Sequence, residues 1–313
     1  MKKYNYTVLV RCYTYNQEKY IEDALKGFVS QITNFPFLIV IVDDASTDNT
    51  AEIIRKYSEQ YPELIKFIAL KENHYSKKKG KIQYIQEWRN QSKYEAVCEG
   101  DDYWTDPYKL QKQVDILEQN PDVGLVHTDF DLVEGKRRHF IHSSDKEECL
   151  QHLIKGNYQI GTLTVVYRMD VYNSIPKEWK KISPPLKMGD LPMFIEMSSI
   201  CKFVYLPDIT AKYRVLESSA SHNSNLEVMV DFHRSHMNCA RYYADKHKIN
   251  VHALDKRFYA IVLRLCLKYE NRDIAHKYFK EALSSGNLTV KSLIYYILLL
   301  IPFVSKVIKR LGY

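Results

Sequence analysis

The sequence predicts an α/β fold: a Rossmann-like mixed, mainly parallel sheet flanked by helices, with a helical appendage at the C-terminal end. Short runs of apolar and β-branched residues alternate with amphipathic helical patterns through the first third of the chain, which is typical of parallel sheets covered on both faces. The 313 residues are 45% hydrophobic and 27% charged, which is enough for a substantial core. From about residue 224 onward the apolar spacing is wholly helical.

A complete β-α-β unit opens the chain. Residues 7–12 and 37–42 are β-branched apolar runs of strand length. Between them, apolar residues recur at three- and four-residue spacing from Ile21 to Phe28, as expected for a helix that packs back onto the sheet. We therefore expect two neighbouring parallel strands joined by one helix.

The alternation continues into the middle of the chain. Asn49 is expected to cap a helix together with Glu52, three residues further on. Pro107 suits the first turn of another helix, which ends before Pro121. Further strands are predicted at residues 64–70, 94–98, 124–128 and 161–167.

Composition and charge exclude several classes of protein. The 45 Lys and Arg exceed the 38 Asp and Glu by seven, an excess too small and too scattered to predict a nucleic-acid interface. No two of the six cysteines stand at the spacing of a zinc knuckle or a redox pair. Arg11 interrupts the apolar run that a signal peptide would need. We therefore expect a cytoplasmic protein that binds no nucleic acid.

Two acidic pairs follow predicted strands. Asp43-Asp44 closes the second strand, and Asp101-Asp102 closes the fourth. Ligands bind outside the carboxyl ends of parallel strands, and neighbouring carboxylates need a cation or several donors to offset their repulsion. Mg²⁺ and Mn²⁺ prefer such oxygen ligands, often shared with substrate phosphates. Ordinary loop and helix-cap roles explain either pair alone, but they do not explain two pairs at neighbouring strand ends.

The turn after the first strand is not a dinucleotide-binding loop. Residues 11–16 have the sequence Arg-Cys-Tyr-Thr-Tyr-Asn and contain no Gly-x-Gly-x-x-Gly, and the chain has no P-loop. Tyr13 and Tyr15 offer aromatic faces on which a nucleotide base could stack. With 25 tyrosines in the chain, a packing role for either residue is an open alternative.

Taken together, these motifs resemble the inverting family 2 glycosyltransferases, which have the A-type nucleotide-diphospho-sugar transferase fold. The resemblance covers roughly residues 5–215 and rests on four segments in order, which are residues 13–16, 42–48, 99–104 and 189–190. It implies a glycosyltransferase domain over residues 1–220, with a nucleotide-sugar half (1–129) and an acceptor half (130–220). Residues 221–313 then form the C-terminal helical region.

The resemblance also implies roles for individual residues. Asp44 would hydrogen-bond the nucleotide base, Asp101 would contact the ribose, and Asp102 would bind Mn²⁺ or Mg²⁺ on the diphosphate. Asp190 would be the catalytic base that takes the proton of the acceptor hydroxyl. It is equally a candidate N-cap of the following helix. The implied donor is a nucleotide-diphospho-sugar, and a UDP-sugar is the donor we expect.

Some residues depart from the family pattern or allow a second interpretation. The lysines at 77–79 lie where the family often has a basic residue near the nucleotide, but charge runs usually face water. Tyr213-Arg214 resembles the Tyr-Arg that precedes an active-site loop in many relatives. Leu216 and Glu217 follow where a His is common, and His222 is a substitute candidate.

Two other functions compete with glycosyl transfer. A nucleotidyltransferase of related fold would need a Gly-rich phosphate loop after the first strand, which is missing. A non-catalytic carbohydrate- or nucleotide-binding protein derived from this fold would have no reason to keep four costly carboxylates. We therefore expect an enzyme.

The C-terminal end contains an uncharged stretch at residues 292–305, followed by Lys306, Lys309 and Arg310. Fourteen residues are too few to span a hydrocarbon core, which needs about 20. An apolar helix with a basic end suits an anionic membrane surface, and a buried helix that covers the appendage is the equal alternative. On the membrane interpretation, the protein is peripheral on the inner face of the cytoplasmic membrane, and a saccharide or lipid-linked saccharide acceptor, as in surface polysaccharide synthesis, is expected.

Overall fold

The computed structural model describes residues 4–77, 79–134, 142–157, 160–216 and 223–301. Its internal contacts divide the chain into two units, which we call the first and the second unit. The first unit comprises Met1–Leu153, Asn157–Pro176 and Met193–Val215. The second unit comprises Ile154–Gly156, Lys177–Pro192 and Leu216–Tyr313. The domain boundary that the sequence predicts after residue 220 lies outside the described residues.

Eight strands of the described first unit form one sheet, in the order β3-β2-β1-β4-β7-β6-β8-β5. They are β1 (Tyr6–Thr14), β2 (Phe37–Asp43), β3 (Ile65–Ala69), β4 (Ser92–Val97), β5 (Tyr103–Trp104), β6 (Val123–Leu132), β7 (Val166–Arg168) and β8 (Lys202–Tyr213). The pairs β1/β2, β1/β4, β2/β3 and β6/β8 are parallel. The pairs β4/β7, β6/β7 and β5/β8 are antiparallel. This sheet confirms the predicted fold class.

Seven helices lie between these strands along the described chain. They are α1 (Ile21–Val29), α2 (Thr50–Gln60), α3 (Gln86–Asn90), α4 (Lys109–Gln119), α5 (Lys146–Ile154), α6 (Met169–Ser174) and α7 (Asp190–Ser198). The predicted β-α-β unit is confirmed, because α1 lies between the parallel strands β1 and β2.

The centre of the sheet is buried on both faces. On β1, Val10 packs into a cluster that contains Phe28 of α1, while its neighbour Leu9 packs on the opposite face with Ile85. All four side chains are 0% exposed. Burial of a large apolar side chain contributes about 1.5 to 3 kcal/mol, so both layers hold β1 in place.

Two sequence-based expectations were wrong in detail. Asn49 makes no side-chain capping bond, since its backbone is already near-helical (φ −76°, ψ 5°); Asp48 instead accepts hydrogen bonds from the backbone and side chain of Thr50. The strand expected at 161–167 is shorter, because residues 162–164 form a 3₁₀ turn before β7.

The longest strand was not predicted. β8 spans 12 residues, and Pro207 and Asp208 interrupt its apolar alternation. Its register against β6 shifts around Asp129, as expected for a bulge that absorbs an irregular stretch of strand. The predicted division between residues 129 and 130 falls inside β6.

The C-terminal part of the second unit is helical, as predicted. Its helices are α8 (Leu226–His247), α9 (Ala253–Lys268), α10 (Arg272–Ser284) and α11 (Val290–Leu300). Asn225, Asn271 and Thr289 cap α8, α10 and α11 through side-chain oxygens. Val262 and Cys266 of α9 are fully buried at the centre of this helical core. None of the helices described here has the length and apolar character to cross a membrane.

A lysine is buried in the first unit. Lys109 of α4 is 0% exposed; its Nζ donates to Gln113 Oε1 at 2.7 Å and lies 4.4 Å from the ring centroid of Trp104. Gln113 in turn donates to the carbonyls of Val126 and Thr164. Burial lowers the pKa of Lys109 to about 7, because the charged form loses its hydration.

This burial predicts a pH-dependent effect of Lys109→Met. The pKa falls from 10.5 to about 7 on folding, so the unfolded chain binds more protons between these values and stability rises with pH across this window. The variant should be more stable than the wild type by about 1 to 2 kcal/mol near pH 7 and below, with a smaller gain at about pH 10. Urea unfolding at both pH values measures the difference.

Lys112→Met is the matched control in the same helix. Lys112 is 42% exposed and pairs with Asp106 and Asp208, so its loss should change stability by less than about 1 kcal/mol at either pH. An equal gain for Lys109→Met at both pH values would contradict burial of a titrating ammonium.

Candidate active site

The carboxyl ends of β2, β1 and β4 meet at one edge of the sheet. Thr14 at the end of β1 pairs with Asp43 at the end of β2. On the other side of β1, Arg11 pairs with Val97, the last residue of β4. Both acidic pairs singled out from the sequence therefore leave the sheet at the edge where ligands of parallel sheets bind.

The loops after β1 and β2 are fastened to each other. Asn16 (φ 51°) and Ala45 (φ 63°) both adopt left-handed backbone conformations, which reverse the chain sharply. Asn16 Oδ1 accepts from the backbone N–H of Thr47 at 2.8 Å, and Ser46 Oγ accepts from the N–H of Asn16 at 2.8 Å. Asp43 accepts from both the backbone and the hydroxyl of Ser46, so its carboxylate shapes the loop.

Asp44 is a fully buried carboxylate with three donors. Its Oδ1 accepts from the N–H of His74 at 2.7 Å, and its Oδ2 accepts from the N–H of Tyr75 and from Lys81 Nζ, both at 3.0 Å. Burial alone would raise its pKa, but these hydrogen bonds and the ammonium charge outweigh it and hold the pKa below its usual value. Asp44 is therefore an anion fixed in position.

Tyr13 shares Lys81 with Asp44. Lys81 Nζ lies 5.1 Å from the Tyr13 ring centroid, and the Arg11 guanidinium lies 4.8 Å from it. Burial raises the pKa of Tyr13 to about 12, and within the described chain its buried hydroxyl has no hydrogen-bond partner. Tyr15, on the following turn, is 45% exposed and offers an accessible ring.

Asp102 has the opposite electrostatics to Asp44. Its side chain is nearly buried, at 6% exposure, and Oδ1 accepts one hydrogen bond, from the N–H of Arg214 at 2.8 Å. Burial, followed by repulsion from Asp101, raises the pKa of Asp102 to about 8. Burial also raises the pKa of Asp101. This pair therefore favours a partner that brings positive charge.

Arg214 ties the acidic pair to neighbouring elements. Its Nη1 donates to the carbonyl of Asp101 at 2.7 Å, and its Nη2 forms an ion pair with Asp23 of α1. The guanidinium also lies over the rings of Tyr20 and Tyr103, at 5.0 and 4.7 Å from their centroids. Arg214 thus holds the loop after β4 against α1 and the end of β8.

Asp190 belongs to the second unit, where it begins α7. Its Oδ1 accepts from the N–H of Leu191 at 2.8 Å, so the carboxylate lies at the helix N-terminus, where negative charge is favoured. His236 of α8 lies within electrostatic range. Burial, aided by Arg257, lowers the pKa of His236 to about 4, while Asp190 opposes this shift. A neutral imidazole therefore neighbours Asp190 at physiological pH.

The acidic pair fits a divalent cation that is shared with a substrate. Among the described residues, no group of three or more His, Cys, Asp or Glu side chains has metal-binding geometry. Mg²⁺ and Mn²⁺ commonly bind through one or two carboxylates with substrate phosphates completing the coordination. The nearly buried Asp102, next to Asp101, matches that donor set.

Sequence patterns missed two contributors to this site and the contacts of a third. Lys81 contacts Asp44, whereas Lys77 and Lys79 of the predicted basic run pair with Glu72. The backbone N–H groups at 74 and 75 carry no sequence signal. Arg214 was marked by resemblance alone, with no indication that it contacts Asp101 and Asp102. His222 and Glu217 lie outside the described residues.

Gly100 allows the loop after β4 to approach the loop after β1. Its N–H donates to the Tyr13 carbonyl at 3.1 Å. A Cβ at this position would lie 2.5 Å from Gln17 Oε1, 2.8 Å from Ile21 Cδ1 and 2.9 Å from Thr14 Oγ1. A side chain at position 100 would force these three neighbours to move, so a glycine here favours the close approach of the acidic loop.

Gly100→Ala should accordingly destabilise the protein by about 1 to 3 kcal/mol, because several neighbours must shift to make room. Gly80→Ala is the control, since a Cβ there would meet only Gln83 Oε1 at 3.7 Å; it should be neutral or slightly stabilising. Urea unfolding of both variants tests this. Equal effects at the two positions would show that the close approach of the loops after β1 and β4 at Gly100 does not affect stability.

Curated proteins of known sequence are similar to part of this chain. An uncharacterised protein of Mycobacterium tuberculosis is 37% identical over 167 residues, which cover 52% of this chain and 47% of that protein. The putative teichuronic acid biosynthesis glycosyltransferase TuaG of Bacillus subtilis is 33% identical over 104 residues, which cover 33% and 39%. The chain thus spans about half the length, or less, of these curated relatives.

A solved structure has the same fold. Staphylococcus aureus TarS 1–349 in complex with UDP-GlcNAc superimposes with a TM-score of 0.54 at 17% identity, covering 94% of this chain and 90% of that one. The family described as glycosyl transferase family 2 matches residues 12–173, more than half of the chain and including both acidic pairs. This chain belongs to glycosyl transferase family 2.

Proposed function

We propose that this protein is a metal-dependent, inverting glycosyltransferase that moves a sugar from a UDP-sugar to a saccharide or lipid-linked saccharide acceptor. The observation that carries the proposal is the pair of contrasting carboxylate sites at one sheet edge. Asp44 is an anion held by three donors, and Asp102 is a nearly buried carboxyl with a pKa raised to about 8. A nucleoside diphosphate with a divalent cation would suit both sites, with the base at Asp44 and the cation at Asp102.

In this proposal the nucleoside lies between the loops after β1, β2 and β4. Asp44 accepts from the N–H edge of the base, and Tyr13 and the exposed Tyr15 contribute aromatic contact. Asp101 accepts from the ribose hydroxyls. Uracil is the base we favour, because the TarS structure with the same fold contains UDP-GlcNAc.

Asp102 is the residue we assign to the cation, Mn²⁺ or Mg²⁺. When bound, the ion would supply charge that stabilises the diphosphate leaving group. The raised pKa of Asp102 means that its carboxylate is costly without a positive partner. Arg214, whose N–H donates to Asp102, keeps that carboxylate oriented.

Asp190 is the proposed base. The acceptor hydroxyl oxygen forms a bond to the anomeric carbon on the face opposite the diphosphate. The bond from the anomeric carbon to the diphosphate oxygen breaks, and UDP leaves with that electron pair. The hydroxyl proton passes to the Asp190 carboxylate. The N–H of Leu191, which donates to Asp190 Oδ1, fixes the orientation of the carboxylate during this transfer.

We place the reaction in surface polysaccharide synthesis at the cytoplasmic side of the membrane. TuaG is named for teichuronic acid biosynthesis, and TarS is named as a poly(ribitol-phosphate) β-N-acetylglucosaminyltransferase. Both names describe glycosyl transfer, and the name of TarS specifies a polymeric acceptor, which supports an acceptor of this class.

Two substitutions separate donor binding from catalysis. Asp102→Ala should abolish Mn²⁺-dependent binding of UDP, because the cation loses its carboxylate. Asp190→Asn should leave UDP binding unchanged and lower transfer or donor hydrolysis by about 10²- to 10⁴-fold, the usual contribution of a general base. Calorimetry measures binding, and release of UDP measures turnover. Normal turnover by Asp190→Asn would show that another group is the base.

A nucleotide titration tests the donor. UDP with Mn²⁺ should raise the melting temperature by several degrees when present at about 100 times its Kd, whereas UDP without Mn²⁺, and GDP, CDP or dTDP with it, should raise it less. A larger shift with GDP would reassign the base bound by Asp44. No shift with any nucleotide would favour the non-catalytic binding protein.

A further inference from the structure

Helix α11 exposes a row of large apolar side chains. Six residues on it and at its C-terminal end are between 38% and 76% exposed. We call them the α11 stripe, and they are Val290, Leu293, Ile294, Ile297, Leu300 and Ile301. Isolated exposed apolar residues are common on protein surfaces, but a contiguous set marks an interaction site.

The α11 stripe is a single face of the helix. At about 100° per residue, its five positions within α11 fall within an arc of about 120°, and Ile301 follows at the C-cap. Leu299 and Ser292, on the opposite side, are 2% and 0% exposed and face the core that α11 forms with α9 and α10. The helix is therefore apolar on two faces, and packing among the described residues of the second unit uses only one of them.

The basic residues on α11 and after it in the sequence point to the partner of this face. The 32 residues after Glu281 contain four basic residues, Lys291, Lys306, Lys309 and Arg310, and no acidic residue. Lys291 lies on α11 itself, beside the stripe, and is exposed. Basic residues next to an apolar helical face complement anionic lipid headgroups. A second copy of the chain would bring another Lys291 to this face, and repulsion between the two ammonium groups would oppose that pairing.

We propose that the α11 stripe is a docking surface for an anionic lipid bilayer, with α11 lying in the plane of the interface. Eleven residues give a helix about 16 Å long, roughly half of a hydrocarbon core of about 30 Å, so α11 lies on the membrane. The stripe enters the boundary between headgroups and acyl chains, and Lys291 contacts the headgroups. This inference rests on the proposed function only in that docking would bring the enzyme to a lipid-linked acceptor.

Vesicle sedimentation of the full chain tests the proposal. The wild type should pellet with phosphatidylcholine vesicles that contain phosphatidylglycerol, and much less with pure phosphatidylcholine. The double variant Ile294→Glu/Ile297→Glu should lower the vesicle partition coefficient at least about tenfold, because it removes two apolar anchors and adds negative charge. Ile200→Glu, at a residue 48% exposed in the first unit, is the matched control and should sediment like the wild type.

Three results would overturn the proposal: no sedimentation of the wild type, equal sedimentation of the double variant, or a dimer in light scattering that the double variant dissociates.

Measuring UDP binding without vesicles distinguishes the docking proposal from the donor proposal. If the double variant binds UDP normally and leaves the vesicles, the docking surface stands. If the wild type binds vesicles but no nucleotide, the donor proposal fails while the docking surface stands.

Discussion

The parallel pairing of β1 with β2 and β4 is the constraint on which the site depends. It aligns Thr14 with Asp43 and Arg11 with Val97, so the chain leaves all three strands at one edge. Hydrogen bonds then extend the pairing beyond the strands, from the N–H of Asp44 to the Thr14 carbonyl and from the N–H of Gly100 to the Tyr13 carbonyl. The acidic loops are continuations of the sheet, which makes them rigid enough to hold costly charges.

The two acidic sites differ in how the fold compensates for burial. Asp44 receives two backbone N–H groups and the ammonium of Lys81, and its pKa is lowered. Asp102 receives one N–H, from Arg214, and its pKa is raised to about 8. Similar burial therefore produces a stable anion at one loop and a carboxyl that favours an added cation at the other. A pattern of two Asp pairs in sequence cannot distinguish these environments.

Short-range sequence patterns predicted the features that depend on neighbouring residues, and they missed contacts between distant parts of the chain. Strand ends and amphipathic spacing located Asp44, Asp101 and Asp102 at the sheet edge, because alternating β and α elements force parallel connections. The contact between Arg214 and Asp102 joins residues 112 positions apart, and no spacing rule reaches that far. β8 escaped prediction for the same reason, since its pairing with β6 tolerates a bulge and an interrupted apolar pattern. Asp190 was marked by family resemblance, and the hydrogen bond from Leu191 establishes its place at the start of α7.

The sequence also could not assign the two faces of α11. Hydropathy along 292–305 indicated an apolar helix and left burial and membrane contact as equal alternatives. In the described part of that segment, Leu299 is buried, whereas Ile297, two residues away, is exposed. Asp102 and the α11 stripe are alike in one respect. Each has an unfavourable environment in the folded chain, a buried carboxyl in one case and apolar side chains in water in the other. A bound partner would remove that free-energy cost. Such costs persist in folded proteins mainly where function requires them, which is why the acidic edge and the apolar face carry the two proposals made for this chain.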